Sequence, residues 1–226
     1  MNNIYNLLHG SLFLLSLALF SVLSLAPVRS FAVDFHLGIN AGEAQIDNDR
    51  DFYEGSIYNI SVDNETWVLS VYSEIKFNRF IRLELGILDG GLAKVEAQSG
   101  TTFLPGVIFY WGGPVEIEYG LAAAKVGGTF SIPLTHADSV RLLLKGGIAG
   151  WASIATLSDR CCDREDTDEG ISPYYGVGLE FDLSNKISVR LQHERFTANV
   201  ESEYYWYWDG YELEYQNTTA GLLFRF

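Results

Sequence analysis

The sequence has 226 residues, 48% of them hydrophobic and 14% aromatic, with a formal net charge of −14. Acidity on that scale excludes nucleic acid as a partner, since binding it takes basic surface. The length fits one domain.

Residues 1–32 open on the polar MNNIYNLLHG, continue in the apolar run SLFLLSLALFSVLSLAPV and close on RSFA. Ser30 and Ala32 are the small residues a signal peptidase reads, which predicts a signal peptide over 1–32, cut after Ala32. The alternative is an uncleaved anchor, because the apolar run approaches the roughly 20 residues that span a bilayer. Pro27 and the cleavage-like residues favour the leader. Without Arg29 the segment 33–226 keeps 14 basic against 29 acidic residues, a net of about −15. It has no apolar run long enough for a membrane helix, yet it is apolar on average. An exported chain of that kind is what a transmembrane β-barrel requires, with apolar outward faces alternating with polar inward ones.

Alternation with a period of two then recurs along the chain. VDFHLGINAG (33–42) sets Val33, Phe35, Leu37, Ile39 and Ala41 against Asp34, His36, Gly38 and Asn40. WVLSVYSEIKF (67–77) and FIRLELGI (80–87) follow, the second opposing Ile81, Leu83, Leu85 and Ile87 to Arg82, Glu84 and Gly86. Segments 115–132 and 139–153 alternate less cleanly, the first through small residues and the second with leucines on both faces. YYGVGLEFDL (174–183), ISVRLQHERF (187–196) and 215–226 complete about eight strands. FNRF, PLTHADS and SNK make short turns, and long polar segments lie at about 46–66, 91–114, 155–172 and 197–214. Short turns on one side and long loops on the other predict an all-β, eight-stranded antiparallel up-and-down transmembrane barrel, turns periplasmic and loops extracellular. A lipocalin-like soluble barrel has the same strand count but the opposite polarity. Here Glu84, Lys125, Lys145, Glu180 and Arg190 stand at strand centres opposite the aliphatic face, which fits a polar interior with lipid outside.

The long segments are acidic. They read as solvated loops, or as carboxylates for divalent cations such as those bridging lipopolysaccharide phosphates; none has calcium-hand spacing, and no metal site is assigned. Cys161 and Cys162 are adjacent in one loop of an oxidising compartment. A strained vicinal disulfide leads, with free thiols, intermolecular bridges or a metal site with Asp159 and Asp163 as alternatives. ESEYYWYWDGYELEY (201–215) reads as part of the outer aromatic girdle or a binding surface.

EIKFNRFIRLELGILDGG (74–91) resembles the transmembrane domain of the outer membrane protein A family. The resemblance continues in AAAKVGGTFSIP, VRLLLKGGIAGW, EGISPYYGVGLEFDLSNKISVRLQHERF and the terminal GLLFRF, and it spans the strands but not the loops. It implies a lumenal charge cluster on Glu84, Lys125, Lys145, Glu180 and Arg190. Two positions depart from the family: Lys145 stands for an arginine and Gln192 for an acidic residue. Family members open small pores when partners in such a cluster exchange; a structural plug is the other reading, because eight strands enclose a lumen just wide enough for side chains. The family's peptidoglycan-binding domain has no counterpart in the barrel segment, which leaves no expectation of a cell-wall tether. The alternating Phe226, Phe224 and Leu222 resemble the signal read by the barrel-assembly machinery.

The leading expectation is a monomeric barrel in the outer membrane of a Gram-negative bacterium, in contact with outer-membrane lipids and lipopolysaccharide. Its role would be structural or surface-interacting, through loops that meet host or phage ligands. A low-conductance pore is the alternative, and a lipid-modifying enzyme the third. No enzyme activity and no cofactor is expected. His193 has no serine partner in an H-x-S pattern, His136 lies in a turn and His36 faces the lumen.

Overall fold

Alternating residues leave each segment one face for lipid and one for the interior, and a closed sheet is the form that pairs every backbone group in a membrane. The computed structural model describes residues 34–48, 60–97, 115–158, 163–201 and 211–226. The strands are β1 (Asp34–Asn48), β2 (Ile60–Asp63), β3 (Glu65–Lys76), β4 (Ile81–Ala97), β5 (Val115–Pro133), β6 (Val140–Ser158), β7 (Asp163–Asp182), β8 (Ile187–Val200) and β9 (Tyr211–Arg225). β2 and β3 run along the same neighbour, β4, and are parted at Asn64, so the nine segments make eight staves. Neighbours are antiparallel, and β1 pairs with β9 from His36↔Arg225 to Asn48↔Leu213, closing the sheet. Closure removes the edges that would otherwise expose unpaired backbone.

The three periplasmic turns form where a short polar side chain can stand in for the missing ladder bonds. Asn78 Oδ1 accepts from Phe80 N and Ile81 N at 2.8 and 2.9 Å. Thr135 Oγ1 accepts from Ser139 N at 3.1 Å, and Ser184 Oγ from Ile187 N at 3.1 Å. At the other end β4 is bulged between Asp89 and Leu92, with Gly91 at φ 75°. A β-carbon at Gly91 would come within 2.3 Å of Thr66 Oγ1, so the site takes glycine for its backbone and for its space.

The outward wall has two zones. Around the lower barrel Ile39, Val71, Ile81, Val126, Leu144, Val177, Leu191 and Leu222 are exposed, which is the lipid-facing belt. Phe35 and Phe226 (centroids 6.3 Å apart) and the stacked Phe80 and Phe130 (6.1 Å) line its periplasmic rim. Trp67 and Tyr175 stand at the outer rim, the place of interfacial aromatics. Above that rim the outward positions turn polar: Glu43 and Gln45, Lys94 and Glu96, Glu116 and Glu118, Glu165 and Glu169, Arg195, Glu214. Lys94 pairs with Glu96 and Glu116 at 2.8 and 3.0 Å, and the hydrogen bond to Glu96 first holds its ammonium above the ordinary lysine value.

The long polar segments are therefore shorter than the alternation indicates. Asp163–Gly170, read as part of an acidic loop over 155–172, is the start of β7 and pairs with β6 from Ser158↔Asp163 to Trp151↔Gly170. Residues 91–97, 155–158, 197–200 and 211–214 are strand as well. A strand crossing the apolar core needs about 9–11 residues, whereas β7 has 20. The surplus stands in water, where the outward face need not be apolar and the hydrophobic signal of a strand fades. Asn217 lies within β9 with its side chain buried.

Candidate functional site

Inside the belt, the inward positions carry charge. Near the periplasmic mouth Glu180 of β7 meets four guanidinium groups. Arg82 (β4) donates to it through both terminal nitrogens at 2.6 and 3.1 Å. Arg190 (β8) lies at 2.6 Å, and Arg141 Nε (β6) and Arg225 Nη2 (β9) at 3.2 Å each. Asp182 accepts from Arg141 and Arg225 as well, and from Ser188 Oγ at 2.9 Å. Glu74 of β3 holds Arg190 through two bonds of 2.7 and 3.0 Å and Arg82 at 3.2 Å, with His36 Nδ1 3.6 Å away. Parallel guanidinium–carboxylate bonds of this kind are both directional and strong. Five strands thus meet at Glu180, and with β3 and β1 the network ties most of the ring together.

A second group lies one step toward the outside. Lys145 Nζ sits 2.5 Å from Glu194, 2.8 Å from Glu84 and 3.1 Å from Gln192 Oε1. Lys125 donates to the other oxygen of Glu194. Arg190 Nη1, 3.6 Å from Glu84, links the two groups. All these charges except Arg141, Asp182 and Arg225 are nearly or wholly shut away from solvent. Buried charges persist only when paired this completely.

Above Lys125 and Glu194 the same inward faces become apolar. On β5 Lys125 gives way to Ala123, Leu121 and Tyr119; on β8 Glu194 gives way to Phe196, Ala198 and Val200; on β9 Asn217 gives way to Tyr215 and Leu213. Phe196 and Tyr215 pack with centroids 4.9 Å apart, and Trp151 Nε1 donates to Ser172 Oγ at 2.9 Å. The boundary is aromatic. Arg190 and Lys145 lie 5.0 and 5.6 Å from the Tyr72 ring, and Lys125 lies 5.3 Å from that of Tyr174. A polar interior throughout is therefore corrected: where the outer wall is wet, the inside is an apolar plug, which is the polarity of a soluble barrel.

Glu84, Lys125, Lys145, Glu180 and Arg190 all point inward and all enter one connected cluster. The two departures from the family pattern resolve together. Gln192 accepts from Lys145, and the carboxylate stands two residues on, at Glu194. Lysine, a point charge, serves there because its partners converge on one nitrogen from two strands, β4 and β8. Glu74, Arg82, Arg141, Asp182, Glu194 and Arg225 were not singled out by the sequence, although each shares the inward register of a residue that was. Leu222 is exposed on the belt, Phe224 is half-buried, and Phe226 donates its backbone N–H to Phe35 O at 3.0 Å. His193 is outward, with Nδ1 3.0 Å from Thr218 Oγ1. Cys161, Cys162 and the aromatic run 204–208 lie outside the described residues. Among the described residues, no three potential ligands cluster as a metal site would require.

The sequence profile of the outer membrane protein beta-barrel domain family matches residues 12–226. No curated protein matches the chain. Among solved structures, Ail, the attachment invasion locus protein of Yersinia pestis, in complex with the heparin analogue sucrose octasulfate, is similar at a TM-score of 0.50 and 12% identity, over 87% of this chain and all (100%) of that one. Neisserial surface protein A is similar at a TM-score of 0.51 and 9% identity, over 85% of this chain and 97% of that one. Identities this low speak to the fold alone.

Proposed function

The chain belongs to the outer membrane protein beta-barrel domain family and resides in the outer membrane of a Gram-negative bacterium, and from that premise we propose that it is a closed, non-conducting barrel with a structural or surface-interaction role. The observation that carries this reading is the filled interior. A tightly paired charge cluster occupies the lipid-girdled half, and an apolar plug with Leu213, Tyr215 and Ala198 at 1% exposure or less occupies the other. Ion passage would require both to open. Meanwhile the strands rise beyond the lipid belt and carry the extracellular segments away from the membrane on a rigid, polar wall. That is a platform for contact with lipopolysaccharide, with envelope components or with a host or phage surface. Ail is by its name an attachment protein, and a role of that kind is what the wall and its loops would serve here. Catalysis has no part in the reading: His193 faces outward beside Thr218, and His36 is buried with Nδ1 3.6 Å from Glu74.

Planar-bilayer recording tests it. Neither the wild type nor Arg190→Ala should show discrete conductance steps at moderate voltage. Steps from the wild-type barrel that vanish or change size in Arg190→Ala would replace this reading with that of a gated pore.

A further inference from the structure

We propose that the periplasmic half of the lumen contains a binding site for a small monovalent anion of chloride size, formed by Arg82 Nε, Thr129 Oγ1 and Ser131 Oγ. Arg82 and Thr129 are 2% exposed and Ser131 is 0% exposed. None of the three atoms has a hydrogen-bond partner among the described residues. Buried polar atoms are nearly always partnered, and three together on one patch of wall call for a common acceptor.

The register puts them on one patch. Arg82 of β4 stands directly opposite Thr129 of β5, and Ser131 is the next inward residue on β5. Directly opposed side chains start about 5 Å apart, so both hydroxyls and the guanidinium edge can address one ion. The terminal nitrogens of Arg82 are turned to Glu74 and Glu180, which leaves its Nε edge for this patch. Thr129 is also opposite Lys145 on β6, so a cation stands on each side of it.

Charge selects the ligand. In a chain of net charge −14, the lumenal network sets six basic groups (Arg82, Lys125, Arg141, Lys145, Arg190, Arg225) against five carboxylates (Glu74, Glu84, Glu180, Asp182, Glu194). A monovalent anion balances that sum. Nε can only donate, and each hydroxyl can turn its proton to the same point, which suits a halide accepting from several sides. The patch also lies near the periplasm. Arg82 follows the first turn by two residues, and Ser131 donates its backbone N–H to Phe80 O at 2.6 Å. Arg225 and Asp182 remain about a fifth exposed at the mouth.

The test is thermal unfolding of the detergent-solubilised full barrel, read by its heat-modifiable gel mobility. Sodium chloride or bromide is titrated against sodium gluconate at constant ionic strength. The wild-type midpoint should rise with halide and saturate. Thr129→Val with Ser131→Ala should weaken the apparent halide affinity by about tenfold or more, since each lost donor to an ion carries about that factor. Thr219→Val, on the opposite wall, should keep the wild-type response. A midpoint indifferent to halide, or a double variant that responds as the wild type does, overturns the site and leaves water as the partner of these groups. Should the double variant fail to fold, chloride NMR line broadening by the wild type decides. Broadening relieved by bromide supports the site, and no broadening overturns it.

Discussion

The two halves of this barrel interior solve one packing problem in opposite ways. On the periplasmic side the outward face meets lipid and must be apolar; the inward face is charged, and ion pairs fill the lumen. On the extracellular side the outward face meets water and carries Lys94, Glu116 and Arg195; the inward face is Leu121, Phe196 and Leu213, and close packing fills it. The same strands pass through both regimes. The polarity of a barrel wall is thus set level by level by its surroundings. An apolar inward face within the lipid belt would also make the strands continuously apolar and erase the alternation that marks a barrel strand.

The sharpest way to break the comparison is to remove one charge from the lower half. Glu180→Leu leaves Arg82, Arg141, Arg190 and Arg225 without their shared acceptor and should cost about 3–5 kcal/mol, the usual penalty for stranding a buried partner. Urea unfolding of the refolded barrel in lipid vesicles measures it. A loss below about 1 kcal/mol would mean that water already reaches the network and screens it. In the upper half the equivalent cut is Leu213→Ala, a buried side chain at 1% exposure. It should cost about 2–4 kcal/mol through lost burial and a cavity; neither deficit should depend much on salt, since Glu180 is 0% exposed and buried pairs are weakly screened.

The lower half was the legible one. There the outward aliphatics and inward charges alternate over many residues, so strand, face and the five cluster residues could be read from Glu84, Lys125, Lys145, Glu180 and Arg190. Glu74 and Arg82 share that face, but a pattern does not tell which inward charges converge; that depends on cross-strand register. The upper half was hidden because its signal reverses. In Asp163–Gly170 both faces are polar near the open end, and on β8 the run from Phe196 to Val200 puts the apolar residues inside. Reading one fixed polarity along the chain turned strand into loop.

Gly38→Ala probes how tightly the lower half is packed. A β-carbon at Gly38 would lie 2.1 Å from Tyr72 Cζ and 2.4 Å from its hydroxyl oxygen, so the ring must move. Overpacking of this kind costs about 1–3 kcal/mol. Unfolding at the wild-type midpoint would show that the Tyr72 ring is free to swing.

Tyr72 itself marks the border, and its two parts can be separated. Its hydroxyl has no hydrogen-bond partner among the described residues, while its ring receives Arg190 at 5.0 Å and Lys145 at 5.6 Å. Tyr72→Leu removes the ring and should cost about 1–2 kcal/mol, as desolvated cation contacts to an aromatic face are lost. Tyr72→Phe keeps the ring and deletes only the unpaired hydroxyl, so its midpoint should stay within about 0.5 kcal/mol of wild type. If Tyr72→Phe proves as harmful as Tyr72→Leu, the hydroxyl belongs to the polar network after all. The charged half would then extend one layer higher, and the apolar plug would begin at Tyr174. If only the leucine variant suffers, the two halves are joined by an aromatic face that is polarisable toward the cations and apolar toward the plug.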